Sequence, residues 1–228
     1  MTAVAASVLL LSGCMPVIAP GPIAFEERPV DDDVTAVVLG TSGDLAVIEG
    51  EPGLTVRAPE AALQALTSQT HDGILVLGSA PGMSLTGWSA AYDLTLPALT
   101  EVDVNGSGDA EVAVPGNGSI RIEVNGSGDV SWSELSSDRV EVRVAGSGNV
   151  RLHGSADEIV VEIDGSGDVD ATEVDAAAGS VVIRGSGDVE LTAHDSLVAE
   201  IAGSGRVIYH GDPRLDTNVW GSGEVVRG

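Results

Sequence analysis

The heptapeptide Val124-Asn125-Gly126-Ser127-Gly128-Asp129-Val130 returns, with small changes, at a fixed interval through the second half of the chain. Its Gly-Ser-Gly centre occurs seven times. The first glycines are Gly106, Gly126, Gly146, Gly165, Gly185, Gly203 and Gly221, and the second glycines are Gly108, Gly128, Gly148, Gly167, Gly187, Gly205 and Gly223. Successive first glycines lie 20, 20, 19, 20, 18 and 18 residues apart. Such a period marks a stacked repeat, in which each unit buries its apolar face only against its neighbours.

Outward from the glycines, the flanking residues hold register. Two positions before the first glycine stand Val104, Val124, Val144, Ile163, Ile183, Ile201 and Val219. Four positions after it stand Ala110, Val130, Val150, Val169, Val189, Val207 and Val225. Six positions after it stand Val112, Trp132, Leu152, Ala171, Leu191, Tyr209 and Arg227. Apolar and polar residues alternate between them, as in Glu141-Val142-Arg143-Val144, so each strand turns one face in and one out. Equivalent inward residues then stack about 4.8 Å apart, which gives an all-β solenoid with coils of about 18–20 residues and Val/Ile ladders inside.

Two other β architectures fit less well. A sandwich of hairpins would show short strands every ~8–12 residues with no long-range register. A nonapeptide calcium solenoid carries its acid in a Gly-Gly-x-Gly-x-Asp frame at much shorter period, whereas here the acid follows the last glycine directly. At the corner, glycine relieves the cost of positive φ and makes room for the next coil, and the serine is placed to hydrogen-bond the backbone. Second polar corners are expected at Ser136-Ser137-Asp138, Ser155-Ala156-Asp157 and His210-Gly211-Asp212-Pro213.

Composition narrows the partners. The chain has 228 residues and a net charge of −25, and all ten basic residues are arginine. Phosphates would be repelled, which argues against nucleic acid. Aromatics make up 3%, so the core must come from small β-branched residues. Cys14 is the single cysteine, which rules out an intrachain disulfide.

Residues 2–13 are uncharged and mostly small or apolar. The run is too short to span a bilayer as a helix but suits a signal-peptide core. Leu11-Ser12-Gly13-Cys14 resembles the bacterial lipoprotein lipobox, which implies that residues 1–14 are a lipoprotein signal with Cys14 the lipidated residue. No Lys or Arg precedes the apolar run, as a signal n-region would have, which leaves open a start upstream of Met1. A lipid anchor would tether the mature chain to the membrane without a spanning segment.

Residues 15–33, with Pro16, Pro20, Pro22, Pro29 and Asp31-Asp32-Asp33, read as a stiff, solvated tether. Residues 34–100 read as irregular β coils, with strands expected at 34–39, 44–48, 54–57, 74–77 and 92–96. A helix is expected over 59–69, where Pro59 opens a segment rich in alanine. Gly40-Thr41-Ser42-Gly43-Asp44-Leu45 reads as a degenerate copy of the repeat, and 101–228 as the regular array.

The units Val124–Val130 and Ile163-Asp164-Gly165-Ser166-Gly167-Asp168-Val169 resemble the head GIN domain, a putative auto-transporter adhesin domain of unknown function. The stretch 39–50 and the strand Tyr92-Asp93-Leu94-Thr95-Leu96-Pro97 are similar to that family as well. The resemblance implies a right-handed parallel β-helix-like fold on secreted or lipid-anchored bacterial proteins, and no enzymatic activity. Arg206, Glu224 and Trp220 depart from the repeat, as capping coils do.

One column is a candidate for chemistry: Asp109, Asp129, Asn149, Asp168, Asp188, Arg206 and Glu224 follow the second glycine. Stacked carboxylates repel, and calcium could relieve this, so Asp109, Asp129, Asp168 and Asp188 are metal candidates. A solvated corner with splayed side chains is the favoured reading. Asn149 interrupts the column, and Arg206 would neutralise Asp188 without a metal.

Zinc is not expected, because His153 and His210 stand three coils apart, roughly 14 Å, and neither Cys-x-x-Cys nor His-Glu-x-x-His occurs. The serines lack a hydrolase frame and the glycines a phosphate-loop frame. No cofactor is expected.

The leading expectation is therefore a non-catalytic, extracytoplasmic envelope lipoprotein. It would meet the membrane through its anchor and an unidentified protein or glycan along its surface. A polysaccharide-binding or polysaccharide-processing β-helix is the alternative, to be recognised by an outward aromatic row beside an acidic cleft. Self-association through the open edge of the last coil is a third reading, with Arg214 and Arg227 placed to blunt that edge.

Overall fold

The computed structural model describes residues 16–17, 21–81, 84–85 and 89–228. Cys14, the apolar run before it and Trp88 lie outside the described residues.

The first strands are β1 (Pro16–Val17), β2 (Ile23–Arg28), β3 (Ala36–Leu39), β4 (Asp44–Glu49) and β5 (Gly53–Pro59). A single helical turn, α1 (Glu60–Leu63), leads to β6 (Leu66–His71), β7 (Ile74–Ser79), β8 (Ser84–Leu85) and β9 (Ala91–Leu96). The array follows as β10 (Glu101–Val104), β11 (Ala110–Ala113), β12 (Gly116–Val124), β13 (Val130–Val144), β14 (Val150–Ile163), β15 (Val169–Gly185) and β16 (Asp188–Gly203). The last coils are β17 (Arg206–His210), β18 (Arg214–Gly221) and β19 (Glu224–Arg227).

From β10 onward every pairing is parallel and joins residues one coil apart, as in Val124 beside Val144 and Val144 beside Ile163. The chain is an all-β stack of about six turns. The inward columns read from the sequence form its core. Val104, Val124, Val144, Ile163, Ile183 and Ile201 are fully buried, as are Trp132, Leu152 and Leu191 beneath the adjoining strands. Trp132 keeps its indole satisfied inside this core by donating to the Val114 carbonyl at 2.9 Å.

Of the three expected second corners, His210-Gly211-Asp212-Pro213 does separate β17 from β18, whereas 136–138 and 155–157 do not interrupt pairing, nor do the equivalent positions of the next two coils. β13, β14, β15 and β16 run through them, bending at register shifts such as the one between Trp132 and Leu135. Backbone pairing with the coils above and below outweighs the turn preference of Ser136-Ser137-Asp138.

The order of coils in space departs from their order in the chain. β3 and β4 pair with β10 and β11 on one side and with β7 and β9 on the other. The coil made by β7 and β9 therefore lies beneath the one made earlier by β3 and β4, and the chain then returns above both. Antiparallel pairings β2–β5, β5–β9 and β6–β7 close this lower end, so the array is parallel and its cap is mixed.

Two expected segments are corrected here. The helix over 59–69 is one turn, and Leu66–His71 is a strand. Pairing of β6 with β7 across the Asp72-Gly73 turn, with φ of +50° and +77°, outweighs the helical preference of the alanines. Within the stretch read as a free tether, Ile23–Arg28 is a strand held against β5. Arg28 donates to the carbonyls of Leu66 and Leu63 at 3.0 and 2.8 Å, which locks this segment onto the cap. The last coil, expected to act as a cap, instead leaves Leu215 and Val219 exposed.

Candidate functional site

The corner column is built by two backbone contacts and one side-chain contact per coil. A Cβ at Gly126 would stand 1.8 Å from the Gly106 carbonyl oxygen, and one at Gly128 2.0 Å from that of Gly108. The φ angles of Gly106, Gly126, Gly146 and Gly165 are not positive, while Gly221 has a φ of +122° and Gly185 and Gly203 lie near +157° and +156°. Close approach of stacked backbones, more than left-handed conformation, is what demands glycine here. With the coils this near, Ser127 N–H donates to Gly106 O at 3.1 Å, Ser147 N–H to Gly126 O at 3.0 Å, and Ser166 N–H to Gly146 O at 3.1 Å. The same bond recurs at Ser186, Ser204 and Ser222. The serine thus bonds through its main chain. Its side chain points to solvent, in contrast to the expected side-chain bond.

The acid after the second glycine completes the corner. Oδ1 of Asp44 accepts the Asp109 N–H at 3.3 Å, and Oδ1 of Asp109 accepts the Asp129 N–H at 2.8 Å. Oδ1 of Asp129 accepts the Asn149 N–H at 2.8 Å, and Oδ1 of Asn149 accepts the Asp168 N–H at 3.1 Å. Asp168 then serves Asp188 at 2.8 Å, and Asp188 serves Arg206 at 2.9 Å. The side chains do not splay into solvent as expected; each one supplies the acceptor that the sheet ladder withholds from a corner N–H. Asn149 interrupts the charge but not the ladder. Arg206 ends it, and its guanidinium pairs with Asp188 at 2.8 Å, the neutralisation expected from the sequence.

Asp109, Asp129, Asn149 and Asp168 also line a shallow groove with Ser131, Arg151 and Asp170. Among the described residues, no group of three or more His, Cys, Asp or Glu side chains is placed to hold a metal ion. His153, His194 and His210 each sit beside a different acid, Glu173, Asp175 and Glu190. The degenerate first copy behaves as read. Thr41 lies beneath Gly106 and Gly43 beneath Gly108. A side chain is tolerated at Thr41, where its hydroxyl accepts the Gly43 N–H at 3.1 Å in front of Tyr92.

The outward face beside the corner carries a ladder of alternating charge. Arg143 contacts Glu162 at 2.5 Å, Arg184 pairs with Glu162 and, at 3.2 Å, with Asp164, and Arg139 pairs with Glu158. Hydrogen bonds from Arg143 and Arg184 hold the Glu162 carboxyl below the usual range. Lower in the stack, burial is the main force raising the Asp103 carboxyl; Asn105 and Asn125 oppose it, and the Glu123 charge adds to it. This ladder was not singled out in the sequence. Its signal was the alternation of Arg and Glu at one period, in Arg121/Glu141 and Arg143/Glu162.

Among the described residues, no aromatic lines the acidic groove. Among the described residues, Tyr92 and Trp132 are buried, Tyr209 is half-buried, and Phe25 and Trp220 stand at opposite ends of the stack. The sign named for carbohydrate recognition is missing from this groove.

Comparison with known proteins agrees with this architecture. The family described as "Putative auto-transporter adhesin, head GIN domain" matches residues 33–213. A putative adhesin from Bacteroides fragilis superposes with a TM-score of 0.88 at 21% identity, covering 94% of this chain and 100% of that one. A putative adhesin from Parabacteroides merdae gives 0.73 at 22% identity, covering 93% and 99%. A structure from Parabacteroides distasonis, described as a putative lipid binding protein, gives 0.75 at 21% identity, covering 94% and 100%. At these identities the likeness is one of fold. The chain matches no curated protein.

Proposed function

The chain belongs to the head GIN domain family, and from that premise we propose that it is a non-catalytic, lipid-anchored display rod of the bacterial cell envelope. The observation that carries this reading is the use made of the repeat itself. The glycines, the serine N–H groups and the acids at the corner bond to the neighbouring coil. The repeated residues build a scaffold, and what they present outward is a long face of paired charges, Arg139, Glu158, Arg143, Glu162 and Arg184 among them. A regular charged face suits recognition of a polar partner by many weak contacts along the rod. The lipobox-like run Leu11-Ser12-Gly13-Cys14 supports anchoring, and β2, which follows it within ten residues of sequence, belongs to the closed cap with β5 and α1.

Two experiments test this. Cys14→Ser is expected to move the protein from the detergent phase to the aqueous phase of whole-cell fractionation. A wild-type protein already in the aqueous phase would remove the anchor from the proposal. Crosslinking and pull-down from intact cells should capture a surface partner, and Arg143→Glu with Arg184→Glu should weaken that capture. Equal capture by the double variant would move the contact off this face.

A further inference from the structure

Among the described residues, the two most exposed large apolar side chains share one strand: Phe25 at 69% and Ile23 at 57%. Both lie on the outward side of β2. Leu54, Val56 and Ala58 of the paired strand β5 face the core, and Phe25 stands in register with the exposed Arg57 between them. β2 lies below β5, and β5 below β9 and β4, so the apolar pair occupies the rim of the cap.

The column that rises from Phe25 changes character with height. Register sets Arg57 above Phe25, Ala91 above Arg57 and Asp44 above Ala91. Asp44 then opens the corner ladder through Asp109 and Asp129. At about 4.8 Å per strand, the guanidinium stands one strand above the ring and the first carboxylate about 14 Å above it. Ring, cation, then acids is the order of a bilayer surface read outward: acyl boundary, phosphate layer, water. From this we propose that Phe25 and Ile23 rest in the interface of the bilayer that holds the lipid anchor, with Arg57 at the level of the lipid phosphates. The proposal rests on the anchor at Cys14 proposed above.

Chain length favours this occupant. Ile23 is nine positions after Cys14, a span of at most about 32 Å when fully extended. Between them, β1 is paired to β8 in the link from β7 to β9, and β9 opens at Ala91, beside Arg57. Two exposed side chains hold a free protein at a bilayer only weakly, but an anchor this near makes the contact intramolecular. Glu27 is also on the outward side, at the far end of β2 from the anchor, so the strand meets the bilayer Ile23 end first. The rod carries a net charge of −25. Repulsion of its acidic flanks from anionic lipid keeps it raised on this rim.

Cys14 is the single cysteine, and once lipidated it has no thiol, so an introduced cysteine takes a fluorescent label alone. The full chain, isolated from bacterial membranes in mild detergent, is reconstituted into phosphatidylcholine vesicles and floated on a density gradient. A label on Ile23→Cys is expected to be quenched by lipids carrying nitroxide acyl chains and to be several-fold less open to aqueous iodide than a label on Ser127→Cys, at a corner higher in the stack. Adding Phe25→Ser to Ile23→Cys should leave the melting transition in place and open residue 23 to iodide. A chain that does not float and takes label on Cys14 itself removes the anchor, and this contact with it. A chain that floats while residue 23 is as open to iodide as residue 127, or is unmoved by Phe25→Ser, overturns the contact and leaves the anchor standing.

Discussion

Oδ1 of Asp129 accepts the backbone N–H of Asn149 at 2.8 Å, across 20 residues of sequence. The bond is local in space and distant in the chain, and it ties one corner to the next. Asp129→Ala would strand that N–H between two coils and should lower unfolding free energy by about 1–2 kcal/mol. Asp129→Asn retains an acceptor, as Asn149 does naturally, and should cost less than half as much in the same urea titration.

The same bond bears on metal dependence. Each corner carboxylate already has one oxygen on a backbone N–H. Thermal unfolding with millimolar calcium or with a chelator should agree within about 2 °C. A rise of several degrees with calcium would show that the remaining oxygens gather a cation.

Backbone contact at the corner predicts a sharp contrast between neighbouring residues. Gly126→Ala drives a Cβ into the Gly106 carbonyl, where only backbone movement gives relief. It should cost about 3–5 kcal/mol or prevent folding. Ser127→Ala removes an outward hydroxyl while leaving the N–H bond to Gly106 intact, and should stay within about 0.5 kcal/mol. Circular dichroism melts of the two variants check both.

Glu162 carries a pH signature. Its folded-state carboxyl is held low by Arg143 and then Arg184, so the stabilisation it gives is present above its unfolded value. That stabilisation is lost as pH falls through the lowered folded value. Glu162→Gln should therefore reduce the melting temperature by about 1–3 °C at neutral pH, and the difference should vanish in strong acid. A deficit that persists in strong acid would assign the loss to packing.

The periodic part of the fold was legible because every coil repeats one instruction: Gly-Ser-Gly fixes the corner, and alternating Val and Ile fix the inward face. The role of Asp129 was not, because its partner is a backbone N–H and leaves no trace in residue identity. Residues 59–69 misled for a related reason. Ala61, Ala62 and Ala65 favour helix locally, while the deciding contact is the hairpin of Leu66–His71 with Ile74–Ser79. Asp72-Gly73 is the sequence sign that pointed to it. Ile23–Arg28 gave no such sign, since its strand exists through pairing with Gly53–Pro59, some thirty residues on. The placement of β7 and β9 beneath β3 and β4 was hidden as well, because strands in either order show the same alternation.

The corner ladder runs one way: each side chain, five carboxylates and the Asn149 amide, serves the coil above it, from Asp44 through Asp188, and the ladder stops at Arg206. A coil inserted between any two of these would receive one such bond from below and give one above, adding about 4.8 Å of length. Rod length in this architecture is thus open to change by tandem duplication or loss of whole coils. A gain of half a coil would set carboxylates against strand interiors and break the register of everything above it.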